Sequence, residues 1–290
     1  MEKTTSHVIA TQNVVLANMK AAKGKTEAPL LRLILLGIFA GMFIAGGACI
    51  SNVVAHTISN VGVAKLVGGS VFPVGLMLIV LVGGELFTGD CLMIMGCVDG
   101  RCPVLKMLKV LIVVYLSNLF GAVLFAFIAS MTGQFNLSSG LLGAYTIKVA
   151  MGKVGLSFSQ AFFSGILCNI FVCAAVLAAS ASTDVPGKIL SVFVPIMTFV
   201  TCGFEHCVAN MYYIPAGIFA AGNEAYASAA METYGFTAAQ LNNLSVSAFF
   251  LKNLLPVTLG NIVGGMLFIG LPLYLVHRNA AKAAEAAEAK

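Results

Sequence analysis

Six long apolar segments constrain this chain more than any other feature. They cover 30–55, 67–98, 104–132, 157–181, 188–222 and 253–277. Each has at least the ~20 residues that a helix needs to cross the hydrocarbon core of a bilayer. Of all residues 59% are apolar and only 9% are charged, which is too little charge for the surface of a soluble protein of this length. The sequence predicts an all-α integral membrane protein with six transmembrane helices.

Two of the six segments are interrupted by polar sequence. The second contains "GGELFTGD" at 83–90 and the fifth contains "TCGFEHCVAN" at 201–210. Irregular backbone and ionisable side chains at membrane depth are tolerated only where protein or a watery cavity surrounds them. We therefore expect broken helices 2 and 5, with Glu205 and His206 beside a cavity.

The third and sixth segments resemble each other. "SNLFGAVLF" from Ser117 and "GNIVGGMLF" from Gly260 share Asn, Gly, Leu and Phe at the same places. Extending this match pairs Gly41 with Gly165 and Phe87 with Phe204. Three spans repeated as three must have opposite topologies, and such repeats hold their transport site at the repeat interface. The prediction is an inverted 3+3 repeat, with repeat one over about 30–132 and repeat two over about 157–277.

The basic residues predict the orientation of the spans. If the N-terminus is cytoplasmic, twelve of the sixteen Lys and Arg residues lie inside, including Lys3 and Lys290, and only Lys65, Lys148, Lys153 and Lys252 lie outside. This asymmetry follows the positive-inside rule. It predicts a multi-pass protein of the cell inner (plasma) membrane with both termini cytoplasmic.

The two ends of the chain lie outside the predicted channel domain of 30–278. Segment 1–29 places Val8, Val15, Leu16 and Met19 roughly on one helical face, which suits an interfacial amphipathic helix, and a frayed tail is the alternative. The alanine-rich segment 279–290 is expected to be a solvated cytoplasmic helix without chemistry.

Five stretches together resemble the formate/nitrite transporter family, and the resemblance extends from Gly37 to Leu275. They are "KLVGG" at 65, "ELFTGD" at 85, "GILCN" at 165, "GFEHCVANMYYIP" at 203 and "NLLPVTLGNIVGG" at 253. The resemblance implies an aquaporin-like protomer and a homopentamer with one pore in each protomer. It also implies passage of small monovalent anions, formate first and nitrite or hydrosulfide next, either by a channel or by a transporter coupled to protons through a central histidine.

The resemblance also implies roles for single residues. His206 matches the central histidine, Thr88 the threonine that faces it, Lys153 the lysine of the outer vestibule, and Asn169 an asparagine that helps to orient the pore. Glu205 matches the glutamate beside the histidine, and we expect it to bond backbone amides freed by the break. The implied constrictions are Leu76, Leu86 and Phe87 on the cytoplasmic side, and Phe72 and Phe199 on the outer side. Asp90 receives no role.

Physical chemistry fits these residue types to an anion pathway. Moving a bare charge between apolar side chains costs tens of kcal/mol in the idealised low-dielectric limit. Holding a carboxylate of ordinary pKa in its neutral form at pH 7 costs roughly 4 kcal/mol. A histidine titrates in the physiological range and can hold or yield the required proton, while a fixed cation such as Lys153 at the mouth raises the local anion concentration.

Two other functions fit the sequence less well. An intramembrane enzyme using Glu205 and His206 would lack the partners found in HExxH and GxSxG motifs. A neutral-solute channel of aquaporin type would lack the paired Asn-Pro-Ala loops and a constriction arginine. We expect no cofactor and no nucleic-acid partner. No metal is expected either, because the eight cysteines form no CxxC pair, although Cys202, His206 and Cys207 are close in sequence.

Overall fold

The structure, a computed structural model, describes residues 8–288. Residues 1–7, with Lys3, and residues 289–290, with Lys290, lie outside this range, as do the parts of the predicted terminal segments that they form. The α-helices, numbered along the chain, are α1 (Thr11–Glu27), α2 (Leu30–Ala55), α3 (Val61–Val71), α4 (Val74–Val82), α5 (Phe87–Asp90), α6 (Ile94–Val98), α7 (Val104–Met131), α8 (Leu141–Val154), α9 (Phe158–Ala181), α10 (Val185–Cys202), α11 (Cys207–Ala221), α12 (Glu224–Tyr234), α13 (Ala238–Leu241), α14 (Leu255–Val263) and α15 (Leu271–Glu288).

Six helical stretches among the described residues are long and apolar enough to cross a membrane, as predicted. They are Leu30–Ala55, Val61–Val82, Val104–Met131, Phe158–Ala181, Val185–Cys202 and Ala248–Ala287. The shorter apolar helices Phe87–Val98 and Cys207–Ala221 complete the second and fifth spans. The last span is longer at both ends than the predicted 253–277. It begins earlier, with π-helical turns at Ala248–Leu254, and a second π-helical stretch at Gly264–Gly270 joins it without a break to α15.

Both broken helices are built in the same way. Each first half ends before a glycine with positive φ, Gly83 at 107° and Gly203 at 78°, a conformation that favours glycine because it has no Cβ. Each second half begins two residues after a glutamate, at Phe87 after Glu85 and at Cys207 after Glu205. Backbone amides at these new helix starts have no intrahelical partner and must be satisfied within the protein.

Two buried asparagines satisfy the backbone at the two breaks. Asn118 Oδ1 accepts the Phe87 amide at 3.0 Å, and Asn261 Oδ1 accepts the Cys207 amide at 2.9 Å. Each side-chain amide also donates to two carbonyl oxygens. For Asn118 these belong to Gly37 and Glu85, and for Asn261 they belong to Gly165 and Glu205. The two sets match one to one, which bears out the inverted repeat of three spans.

The same hydrogen bonds correct the register of the predicted repeat. Gly165 pairs with Gly37, four residues before the predicted Gly41, because both carbonyls accept from the matching asparagines. Phe87 pairs with Cys207 rather than with Phe204 for the same reason. The predicted pairing of the stretch that starts at Ser117 with the stretch that starts at Gly260 was in register. Elsewhere the similarities between apolar segments were too short to give the correct register.

The terminal helices pack on the protein, unlike the predicted interfacial and solvated segments. Val15 and Met19 of α1 are fully buried, together with Met95 of the second span and Tyr274 of α15, in one apolar cluster. Ala281, in the predicted solvated tail, is also fully buried. Small side chains allow close approach of helices, so the alanine-rich end of α15 packs against α1 instead of standing in solvent.

A charged cluster fixes α15 to the loop after α6. Arg101 donates to Glu285 at 2.9 and 2.6 Å and to Asp99 at 2.8 Å, and Lys282 lies 3.0 Å from Asp99. Burial acts to raise the pKa of Asp99, but hydrogen bonds from Lys282, Arg101 and Tyr274 outweigh it and hold that pKa below its usual value. The carboxylate of Asp99 therefore stabilises this junction.

Candidate functional site

The break in the fifth span brings His206 to the second span. His206 is 2% exposed, and its Nε2 lies 2.9 Å from Oγ1 of Thr88. Thr88 is fully buried and lies in the first turn after the break in the second span. Its Nδ1 accepts the backbone amide of Ala209 at 3.0 Å, so the imidazole also caps the N-terminus of α11. The predicted pair of His206 and Thr88 is thus in direct contact.

The hydrogen bonds assign the tautomer of His206. Because Nδ1 accepts an amide proton, the imidazole is neutral and carries its proton on Nε2, which donates to Thr88 Oγ1. The Thr88 hydroxyl keeps its own proton for another acceptor. A proton added to Nδ1 would face the Ala209 amide proton and the positive end of the α11 dipole. This arrangement favours the neutral ring.

Apolar side chains close the space on both sides of His206. The Phe72 and Phe199 rings meet edge to face, with centroids 5.9 Å apart, and Leu76 and Leu86 lie on the opposite side of a cavity of about 10 Å³. All four side chains are at least 96% buried. The cavity has room for about one water molecule, so an anion the size of formate requires these side chains to move. Its other lining residues, which sequence analysis did not single out, are Ile44, Val172 and Ile196.

A larger cavity opens on each side of the constrictions. The first, of about 180 Å³, reaches Phe72, Phe199 and His206 at its inner end and includes Lys153; we call it the Lys153-side vestibule. The second, of about 320 Å³, reaches Leu76 and Leu86 and is lined by α1; we call it the α1-side vestibule. The three cavities share lining residues and form one interrupted path past His206.

Lys153 and Glu205 form a buried ion pair in the Lys153-side vestibule. Lys153 Nζ lies 2.9 Å from Glu205 Oε1, and its side chain is 15% exposed. Glu205 Oε2 accepts the amides of Asn210 at 2.6 Å and Asn253 at 3.3 Å. Glu205 therefore bonds side chains, not the freed backbone amides expected from the sequence, since Asn261 already satisfies the break. The pair leaves Lys153 with a balanced charge instead of the free charge expected at the mouth.

Two further predicted residues lie beside the path but not on it. Asn169 is fully buried and donates to the carbonyl oxygens of Thr88 at 3.1 Å and Asn261 at 2.7 Å, so it joins the two breaks. The Phe87 ring packs against Tyr115 with centroids 4.9 Å apart, and it lines neither vestibule nor the cavity between them. The structure does not place Phe87 with Leu76 and Leu86.

The α1-side vestibule contains a second buried charge cluster. Lys25 of α1 lies 2.5 Å from Glu85 and forms a very short contact with Asp90, which is 2% exposed. Burial acts to lower the pKa of Lys25, but the charges of Asp90 and Glu85 outweigh it and raise that pKa above its usual value. Asp90, for which the sequence suggested no role, therefore holds α1 against the break in the second span.

The described residues contain no group of three or more His, Cys, Asp or Glu placed to hold a metal ion. Cys202 is exposed whereas Cys207 is buried, so their proximity in sequence to His206 does not produce a cluster. The asparagines at positions 118 and 261, which the sequence did not mark as candidate site residues, are the residues that shape both breaks. Their matching places in the repeated motif were the available signal.

Comparison with known proteins agrees with this architecture. The sequence profile described as "Formate/nitrite transporter" matches residues 12–275. The "Probable formate transporter" of Methanothermobacter thermautotrophicus is 40% identical over 266 residues, covering 86% of this chain and 89% of that protein. The "Formate channel FocA" of Escherichia coli K12 is 36% identical over 251 residues, covering 85% and 87% of the two chains.

Solved structures show the same similarity. A structure described as "Pentameric formate channel with formate bound" superposes with a TM-score of 0.76 at 34% identity, covering 86% of this chain and 97% of that one. An "FNT family ion channel" superposes with a TM-score of 0.74 at 27% identity, covering 92% and 98%. With a profile match over nearly the whole chain, a shared fold and an inverted repeat around a buried histidine, this protein belongs to the formate/nitrite transporter family.

Proposed function

We propose that this protein passes small monovalent anions across a membrane, formate foremost and nitrite or hydrosulfide next. The observation that carries the proposal is the interrupted path, in which two vestibules that contain charged side chains meet at an apolar constriction beside one neutral His–Thr pair. The naming of two relatives and of one similar structure after formate supports the choice of anion.

Proton coupling follows from the energetics of the constriction. A bare anion between Phe72, Phe199, Leu76 and Leu86 loses nearly all its hydration, which costs far more than protonating it. For a carboxylate of ordinary pKa the neutral acid costs roughly 4 kcal/mol at pH 7. The anion therefore crosses with a proton, either as the neutral acid or with its charge balanced at His206.

His206 and Thr88 are proposed to receive the substrate at the narrowest point. Nε2–H of His206 orients the Thr88 hydroxyl, whose remaining proton can be donated to a substrate oxygen. A substrate that arrives with its own proton needs no charged histidine, which suits the neutral ring. Lys153 and Glu205 hold the break in the fifth span in place, and Asn169 joins it to the break in the second span.

Assembly and orientation are also part of the proposal. We propose a homopentamer with one path in each protomer, supported by the similar pentameric structure and by the many small residues on the spans, which allow close helix packing. The positive-inside rule supports a location in the inner membrane with both termini cytoplasmic, which places the α1-side vestibule inside. On this basis 30–278 is the channel domain, and 1–29 and 279–290 are cytoplasmic.

The test is uptake by purified protein in liposomes that contain a pH indicator. Formate, nitrite, hydrosulfide and lactate are supplied side by side at several pH values between 5 and 8. Formate uptake accompanied by internal proton delivery is the expected result. No uptake of any of the small anions would contradict the proposed function.

The role of His206 is tested in the same vesicles with His206→Asn. Asn keeps hydrogen bonding and can cap α11 but cannot titrate, so the pH dependence of uptake should change while the fold persists. His56→Asn is the matched control, because His56 bonds Val53 and Ser138 at the edge of the protein, away from the path. Unchanged rate and unchanged proton coupling in His206→Asn would leave His206 as a packing residue.

A further inference from the structure

We propose that the Lys153-side vestibule holds a binding subsite for a small monovalent oxyanion, formed by Lys65 and Asn52, ahead of the constriction. The inference rests on the proposed function and names two residues to which neither the family resemblance nor the site described above gives a role.

Lys65 supplies a positive charge that no carboxylate among the described residues balances. It lines this vestibule. Its Nζ lies close to Gly203, 3.1 Å from the position that a Cβ on this glycine would occupy, so the ammonium group lies beside the break in the fifth span. Within residues 8–288, no Asp or Glu lies within ion-pair distance of Lys65, whereas Lys153 is paired with Glu205. The net positive charge of the vestibule therefore comes from Lys65.

Asn52 supplies a buried hydrogen-bond donor that lacks a partner. Its side chain lines the same vestibule and is 4% exposed. Its Nδ2 makes no hydrogen bond to any described residue. A buried donor of this kind carries a free-energy penalty that a bound acceptor would remove.

One cation and one amide donor define the ligand class. An oxyanion with two oxygens, such as formate or nitrite, can accept from both groups at once, whereas hydrosulfide offers one acceptor atom. A single unbalanced lysine neutralises a single negative charge, which favours monovalent anions. A vestibule of about 180 Å³ that ends at Phe72, Phe199 and His206 holds the anion next to the constriction where it must pass.

The test measures the concentration of sodium formate that gives half-maximal uptake by the full-length protein in liposomes. Lys65→Gln and Asn52→Leu should each raise it by about threefold to tenfold, as expected for loss of one partly hydrated charge-assisted or buried hydrogen bond. Lys65→Arg should restore the parent value. Lys252→Gln is the matched control, because Lys252 is exposed and does not line the vestibule.

Repeating the measurement at high salt separates binding from long-range attraction. A field effect of Lys65 is screened within a few Å at ~1 M salt, but the effect of the neutral Asn52 is not. The subsite is supported if both variants still raise the half-maximal concentration at high salt. The increase should be smaller for hydrosulfide than for formate or nitrite.

Two results would overturn it. One is a Lys65→Gln effect that disappears at high salt while Asn52→Leu behaves like the parent, which means that Lys65 only attracts anions. The other is parent-like uptake by both variants. If Asn52→Leu fails to assemble, the high-salt result for Lys65→Gln decides alone. Absence of formate uptake by the parent protein would instead refute the proposed function.

Discussion

The ion pair between Lys153 and Glu205 gives the sharpest test of the structure. Glu205 is 5% exposed and accepts three hydrogen bonds, from Lys153, Asn210 and Asn253. Removing one partner of such a pair leaves an uncompensated buried charge, which costs about 3–5 kcal/mol. We expect Lys153→Gln and Glu205→Gln each to lose that much stability. The double variant leaves no uncompensated charge, so we expect it to lose less stability than either single variant.

The assay is the survival of the folded, assembled protein after heating in detergent, followed by size-exclusion chromatography. The expected order of apparent melting temperature is parent, double variant, then the two single variants. Lys252→Gln is the control and should melt like the parent, because Lys252 is exposed. Additive losses, with the double variant least stable, would refute the claim that the two charges compensate each other.

Salt dependence distinguishes a paired lysine from a free mouth charge. A free cation at position 153 would make Lys153→Glu reduce formate flux more at low salt than at high salt, because salt screens an exposed field. The ion pair predicts that formate flux falls by nearly the same factor at low and high salt. The new carboxylate at position 153 would lie beside that of Glu205 and disrupt a buried contact, which salt screens poorly. A loss confined to low salt would show that Glu205 does not neutralise Lys153 during transport.

Three further changes have defined outcomes. Asn261→Leu removes three hydrogen bonds to the backbone, those of Cys207, Gly165 and Glu205, and each group left buried without a partner costs about 1–3 kcal/mol, so we expect loss of folded protein in size-exclusion chromatography; Asn243→Leu, at an exposed position, should behave like the parent. Phe72→Ala should destabilise the protein by about 3–5 kcal/mol and widen the constriction, so lactate uptake should increase relative to formate; an unchanged ratio would place the barrier elsewhere. The pKa of Asp99 is lowered in the folded protein, so its contribution is complete above the ordinary aspartate pKa of about 4 and is lost as pH falls through the lower folded value. Protection of the backbone amides in 279–288 from hydrogen exchange, relative to the intrinsic rate at each pH, should therefore fall below pH 4 but not change between pH 6 and 8, and Asp99→Asn should lower it already at pH 7.

Hydropathy and residue type were enough to predict the solvent, the number of spans and the two breaks. Long apolar segments have one stable solution in a bilayer, the helix, so hydropathy alone indicated six spans. Glycine and ionisable residues inside the second and fifth segments marked the breaks for the same reason. His206 could be singled out because an ionisable residue at membrane depth requires a functional or structural partner, whereas Thr88 was implied only by the family resemblance.

The pairing of side chains at the breaks depends on the three-dimensional arrangement of the spans. Adjacent positions in sequence, such as Glu205 and His206, face different partners because the chain is irregular there. Glu205 meets Lys153 from α8, while His206 meets Thr88, 118 positions away. No periodicity in the sequence encodes such long-range contacts.

Packing also decided the outcome at the chain ends and at Phe87. Alanines in the tail are compatible with a solvated helix or with close helix packing, and only the presence of α1 nearby selects the second. Phe87 follows a break and suits a constriction by type, yet the start of α5 turns its ring toward Tyr115. The unpartnered amide of Asn52 and the unpaired charge of Lys65 likewise became visible only when every neighbouring group had a position.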